Sequence, residues 1–453
     1  MRHTVTERFT EATLALYFAD LPKDAVEVAK HVTLDGLPVM LAGATEPLGV
    51  GRISIQYVSN MGGAPQASVV AGGFKTSVTS AAYANGTLAH ALDFDNTWYP
   101  LNHPTSPTLP AILALAEHHR LPGTRVVEAI AVAFEVQGRL RMAATGMETG
   151  SGFHKPGITG TFGATAAAGR LLDLTRDEML MAFGLAGSRA GSLAINTGTM
   201  TKSSHSGHAA RMGVECAVLA KMGWTASREL FEPKGFFDTF FGGRGKPELL
   251  VENFAQPLRM IDPGVGFKKH PSNYFTHRPI DAALALRAEH AIAPAEMESV
   301  EIVFPRFDYV NRPFPESGLD GKFSVQYTTA VALLDGEVTV DTFTNERRFA
   351  ADVEALLPRV KLTVDDAIPA DFDRMHAIVH VTLRSGERLS RKVDTLSGWV
   401  GHPLTREQRL KKFHSCARRV LETEPAERVV ALVDELEELD DVCEIMDIVR
   451  GKP

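Results

Sequence analysis

The chain has 453 residues, of which 44% are hydrophobic and 23% charged, with a formal net charge of −8 at neutral pH. That length exceeds the ~250–300 residues at which single cores stop growing, so at least two structural units are expected, and the composition argues against long disorder. The acidic balance, without clustered Lys and Arg, argues against a nucleic-acid or anionic-membrane partner, so an anionic ligand would need its positive groups gathered in one pocket.

Cys216, Cys416 and Cys443 stand far apart without a CxxC pair, a set that does not make a disulfide framework. The first residues lead into an interrupted apolar pattern unlike a secretory signal, and no apolar run approaches the ~20 residues of a membrane span. A soluble, cytoplasmic protein is expected.

From Thr6 to about Met260 the apolar period is helical. The pattern predicts amphipathic helices over Thr10 to Ala19 and Lys23 to Ala42, the second giving way at Ala42-Gly43. A small-residue helix follows over Thr76 to Ala91, and Pro100, Pro104 and Pro107 forbid its continuation. Asp93 and Thr97 stand four apart and share a face if the last turn reaches them, while His103 sits in a proline-stiffened loop. A carboxylate, a hydroxyl and an imidazole at a helix end are suitable parts for proton transfer; a capped end with a surface histidine is the plainer alternative.

Leu109 to Glu117 and Val126 to Ala143 continue the helical run. Gly157 to Leu172 is rich in glycine, but no strand precedes it, so close helix packing is expected rather than a nucleotide loop. Further helices are predicted over Ala182 to Ala194 and Ala209 to Met222. Near residue 265 the grammar changes. Ser299 to Phe304 alternates as a strand, and His376 to Leu383 with Arg388 to Val393 reads as a hairpin. Helical runs lie between, over Thr276 to Glu289 and Gly321 to Leu334. From Thr405 the helical period returns, over Thr405 to Leu421 and Pro425 to Leu439. The expected fold is mainly α: a helical domain from residues 1–265 and 396–453, with an α+β domain inserted at 266–395.

Three more segments concentrate polar chemistry. His154 stands at the mouth of the glycine-rich helix, where a helix N-terminus favours an anion. Lys202, His205, His208 and Arg211 precede or begin a helix; the two histidines lack a third ligand at sensible spacing, so no metal is expected, and Lys202 reads as a positive group for an anion. Lys268 and His277 lie at the presumed domain junction, where clefts commonly form. Taken singly, each is as well explained by a capping histidine or a solvated linker. Together with His103 they point to a pocket for a di- or tricarboxylate.

These segments together resemble the MmgE/PrpD family, which contains 2-methylcitrate dehydratase, cis-aconitate decarboxylase and iminodisuccinate epimerase. The marks occur in family order: Asp93-Phe94-Asp95-Asn96-Thr97 with His103-Pro104, Gly152-Phe153-His154, Thr201-Lys202 with His205 and Gly207, Lys268 with Pro271 and Thr276-His277, and Gly321-Lys322-Phe323-Ser324-Val325-Gln326-Tyr327. The resemblance implies a large all-helical domain with a smaller α+β lid, usually as a homodimer, acting on a small polycarboxylate without metal or organic cofactor. Asp93 to Pro100 and Asp308 to Pro315 look most like the decarboxylase, whereas Gly198 to Lys202 and Gly318 to Ser324 are similar to the epimerase. Decarboxylation of cis-aconitate is the leading expectation, with dehydration or epimerisation as alternatives. Carried over by position, the resemblance assigns His103, Asp93, His154, Lys202 and Lys268 to catalysis. It gives Thr97 and Tyr327, with His205 and His277, to substrate binding. In that scheme His103 delivers a proton to carbon, oriented by Asp93, while the two lysines clamp carboxylates.

Overall fold

The structure, a computed structural model, describes residues 3–98, 100–145 and 152–452; Tyr99 of the quoted motif lies outside them. Helix α1 spans Val5–Leu14 rather than Thr10 to Ala19, because Thr4 and Glu7 form a reciprocal capping box that fixes its start. Helix α2, Lys23–Ala44, runs through Gly43 instead of ending there. A Cβ at Gly43 would lie 2.1 Å from the Leu88 carbonyl oxygen, so the glycine serves a close helix crossing. Residues 32–43 are buried on every side, which makes the second half of α2 a central helix and not an amphipathic one.

Helix α3 (Val50–Met61) and two short strands, β1 (Ala67–Ser68) and β2 (Lys75–Thr76), lead to α4 (Val78–Ala91). The helical run continues with α5 (Leu109–His119), α6 (Gly123–Ala143), α7 (Lys155–Leu171), α8 (Arg176–Arg189), α9 (Met200–Lys221) and the short α10 (Phe236–Phe241). The glycines of α7 are packing residues, as expected: a Cβ at Gly160 would come within 2.4 Å of Pro107, and one at Gly163 within 2.5 Å of Gln137. Helix α8 starts earlier than predicted because Thr175 and Glu178 form a second capping box. Helix α9 also starts earlier, so Lys202 falls inside its first turn.

Beyond residue 270 come α11 (His277–His290), β3 (Met297–Phe304), α12 (Gly318–Gly321), α13 (Val325–Asp335), α14 (Asn345–Arg348), α15 (Ala351–Leu356), β4 (Val360–Val364), β5 (Ala377–Leu383) and β6 (Arg388–Val393). The sheet has order β4-β3-β5-β6, with β3 parallel to β4 and antiparallel to β5. The predicted strand and hairpin are present; β4 was not legible, since it is an edge strand with four of its five residues partly or fully exposed. The helix predicted over Gly321 to Leu334 is broken, and Ser324 caps the second piece through the Tyr327 amide.

Finally α16 (Arg406–Ala417), α17 (Thr423–Asp434) and α18 (Cys443–Arg450) return to the helical part, where α16 and α17 pack on α2. One large apolar core joins residues from Phe9 to Phe267 with Leu404 to Val449, and a second joins Tyr274 to Trp399. Among the described residues no helix is long and apolar enough to cross a membrane.

Candidate active site

The site is built where α4 ends. Leu92 caps the helix, and Asp93 turns the chain with φ +51°, in the left-handed region that short polar side chains tolerate better than most. Thr97 then pairs with Gly266, the amide of each donating to the carbonyl of the other at 2.9 and 2.7 Å. That bridge draws the segment carrying Lys268 against the turn carrying Asp93 and Asp95.

Both carboxylates are buried within a network of cations and imidazoles. Lys202 places its Nζ 2.8 Å from Asp93 Oδ1 and 2.9 Å from His90 Nε2. Lys268 lies 3.2 Å from Asp93 Oδ2 and donates to the Asp93 carbonyl. Asp95 Oδ1 is 2.9 Å from His90 Nδ1, and its Oδ2 is 3.1 Å from His103 Nδ1. His103 Nε2 stands 3.5 Å from Asp93 Oδ1. His154 meets His205 through their Nδ1 atoms at 3.1 Å, and its ring centre lies 5.5 Å from that of His90.

The electrostatics follow from this packing. Burial alone would raise Asp93, but Lys202 and Lys268 outweigh it and hold the carboxyl well below its ordinary range. Burial is likewise overcome at Asp95, by His103 and His90. Lys202 is raised, because Asp93 more than offsets its burial, whereas Lys268 is lowered by burial despite the same carboxylate. Burial, reinforced by Lys202, lowers His90 to about 4 and His154 well below its usual value. At neutral pH both of these imidazoles are uncharged.

The network forms the floor of a cavity of about 770 Å³. One wall is the helical part, with Asp93, Thr97, His103, His154, Lys202 and Arg141. The other brings Lys268, Tyr274, Phe307, Tyr309 and Phe372 from the second core and the segment before it. Among the described residues, Thr97 Oγ1 and Asn102 Oδ1 are buried at its edge without a hydrogen-bond partner, as suits atoms that meet a ligand.

Six sequence-predicted residues thus share one cavity: Asp93, Thr97, His103, His154, Lys202 and Lys268. Three do not line it. Tyr327 is fully buried, and its hydroxyl donates to the Thr342 carbonyl inside the second core, so the expected contact with substrate is corrected. Its place in the first turn of α13 aims it at Gly321 and Phe343. His277 is buried behind Tyr274, with ring centres 4.6 Å apart, and supports the wall. His205 sits behind His154. The orienting role expected of Asp93 also shifts: Asp95 is the carboxylate nearer to His103, while Asp93 is engaged by the two lysines.

Sequence reasoning missed His90, which reads as one more residue of a small-residue helix, and gave no role to Asp95, although it stands within the quoted motif. Tyr309 was quoted too, without a role; its hydroxyl lies 3.3 Å from Thr197 Oγ1 at the cavity. His90, Asp93, Asp95 and His103 offer ligand atoms within 4.8 Å of one another, as a metal site would. Yet Lys202 and Lys268 already approach Asp93, and both nitrogens of His90 are engaged, so the charge at this spot opposes a divalent ion.

The chain matches the MmgE/PrpD N-terminal domain over residues 7–248 and the MmgE/PrpD C-terminal domain over residues 270–438. It is 32% identical to the cis-aconitate decarboxylase of Mus musculus, over 100% of this chain and 94% of that protein. The cis-aconitate decarboxylase of Homo sapiens is also 32% identical, with 100% and 95% covered. The 2-methylcitrate dehydratase of Salmonella typhimurium is 28% identical over 66% of this chain and 65% of its own. The chain belongs to the MmgE/PrpD family.

Proposed function

We propose that this protein is a lyase that decarboxylates cis-aconitate to itaconate without metal or organic cofactor. The observation that carries the reading is the convergence of Lys202, Lys268 and His103, from three distant stretches of chain, on one cavity. The full-length likeness to two decarboxylases supports it, since the likeness to dehydratases covers only two thirds of the chain.

The substrate carries three carboxylates, and the two ammonium groups give it cationic partners in a partly enclosed site, where such contacts are stronger than in water. The leaving carboxylate is the one on the saturated methylene carbon. As its carbon–carbon bond breaks, the electron pair moves through the adjacent double bond to the former vinylic carbon. The charge spreads onto the carboxylate attached there, and a lysine facing that carboxylate stabilises it. His103 gives its proton to the same carbon, producing itaconate, and Asp95 and Asp93 hold the ring in place. His154, neutral and backed by His205, donates a hydrogen bond to a carboxylate, and Thr97 positions the substrate.

In this reading the segment 266–395 is an inserted lid over a helical body formed by residues 1–265 and 396–453. The working form is a cytoplasmic homodimer. Offering cis-aconitate, 2-methylcitrate and a substituted succinate in parallel, with chelator present, tests the assignment. Carbon dioxide and itaconate from the first are expected. Turnover of the second alone, solvent-deuterium exchange in the third alone, or loss of activity on chelation would overturn it.

A further inference from the structure

Besides Lys202, three other lysines are buried around the turn that carries Asp93 and Asp95, and two of them do not reach the cavity. Lys322, between α12 and α13, is 1% exposed and donates to the Ala91 carbonyl at 3.0 Å. Lys412, in α16, is 7% exposed and donates to the Phe94 carbonyl at 2.8 Å, with its Nζ 3.9 Å from the centre of the Phe94 ring. Lys268 takes the carbonyl between them, that of Asp93. Ammonium groups from three separate parts of the chain thus grip three carbonyls within four residues.

The position explains the chemistry. Carbonyls just past a helix C-terminus have no partner within the helix and sit at the negative end of its dipole, where cations are favoured. Each lysine also has a carboxylate: Lys412 lies 2.6 Å from Asp35 Oδ1, and Lys322 lies 3.8 Å from Glu46 Oε1. Glu46 is itself fixed by the amides of Leu48 and Val50, each at 3.1 Å. Buried lysines cost desolvation energy that a plain hydrogen-bonded turn would not require, so their use here calls for a reason beyond closing the chain.

We propose that Lys322 and Lys412 are positioning residues: by holding the Ala91 and Phe94 carbonyls they fix the left-handed turn at Asp93, and so set Asp93 and Asp95 against Lys202 and His103. Lys322 joins the second core to this turn and Lys412 joins the C-terminal helices to it, so the geometry of the acid depends on both. The proposal rests on the assignment of His103 as proton donor.

The test compares wild type with Lys322→Met and Lys412→Met, each confirmed folded by circular dichroism and gel filtration. Three quantities are read: kcat and KM on cis-aconitate, binding of the unreactive propane-1,2,3-tricarboxylate by calorimetry, and the His103 ring Cε1–H resonance, assigned by its loss in His103→Gln. Expected are a kcat drop of about tenfold or more and tricarboxylate affinity within about threefold. The His103 resonance should move the way it moves in Asp95→Asn; the losses correspond to ~1.4 kcal/mol per tenfold step. Unchanged kcat with an unmoved resonance would overturn the proposal and leave the lysines a purely structural role. If wild type fails to turn over cis-aconitate, the functional reading falls, while the resonance still decides whether the two lysines position the ring. Should a methionine variant not fold, Asp35→Asn and Glu46→Gln keep the lysines in place and weaken their hold; a smaller shift in the same direction is expected, and none would overturn the proposal.

Discussion

The two walls of the cavity differ in kind. The helical wall is dense with charge: Asp93, Asp95, His90, His103, His154 and Lys202 contact one another in a single network. The opposite wall supplies Lys268, a few polar groups such as Arg306 and Asp308, and a cluster of rings, with Tyr274 stacked on Phe372 at 5.6 Å and Phe275 on Phe307 at 4.1 Å. A network tied from several directions keeps its groups within the narrow tolerance that proton transfer needs, whereas an aromatic wall gives shape and excludes water. On the proposed reading, the charged network together with Lys268 carries the chemistry, and the rings set substrate fit.

The largest effect should come from the charged wall. His103→Gln removes the proposed acid and is expected to lower kcat by about 10²–10⁴-fold with the fold intact, read by carbon dioxide release and circular dichroism. Lys202→Met should lower kcat by roughly 10²-fold or more. It also leaves Asp93 short of one buried partner, so the melting temperature should fall with it. Phe307→Leu, on the aromatic wall, should raise KM by a few-fold, roughly 1 kcal/mol of uniform binding, and leave kcat unchanged. A large kcat loss there would break the division of labour.

A smaller effect concerns pH. His90 and His31 are both lowered to about 4 by burial, His90 further by Lys202 and His31 by Arg409. Their folded values lie below the ordinary value near 6.5, so the unfolded chain binds protons first on acidification. Stability is therefore complete above about pH 6.5 and falls as pH drops towards 4. Thermal melts should show a decline across that window, and His31→Gln, remote from the cavity, should flatten it slightly. A melting temperature independent of pH between 6.5 and 4 would contradict the neutral state of these rings.

Much of this was legible from the chain. Proline spacing after Ala91 placed His103 in a fixed loop, and glycines without a preceding strand indicated close helix packing. The change to alternating residues past 265 marked the second core. What stayed hidden depends on contacts between distant segments. Gly43 looked like a helix end, and only the Leu88 carbonyl shows that it serves a crossing. Tyr327, part of a family motif, points into the second core and not the cavity, because its direction is set by the break at Ser324. His90 lies among alanines and small polar residues, and its meaning appears only when α9 brings Lys202 alongside it.

The central claim is that His103 protonates the carbon to which the electron pair moves as carbon dioxide leaves. Turnover of cis-aconitate in heavy water, followed by proton NMR and mass spectrometry, tests it most directly. The account predicts one carbon dioxide and one itaconate per substrate consumed. A single deuterium should stand on the saturated methylene carbon of the product, and His103→Gln should slow its formation by about 10²–10⁴-fold. Deuterium entering unreacted substrate without carbon dioxide, or full activity in His103→Gln, would contradict it.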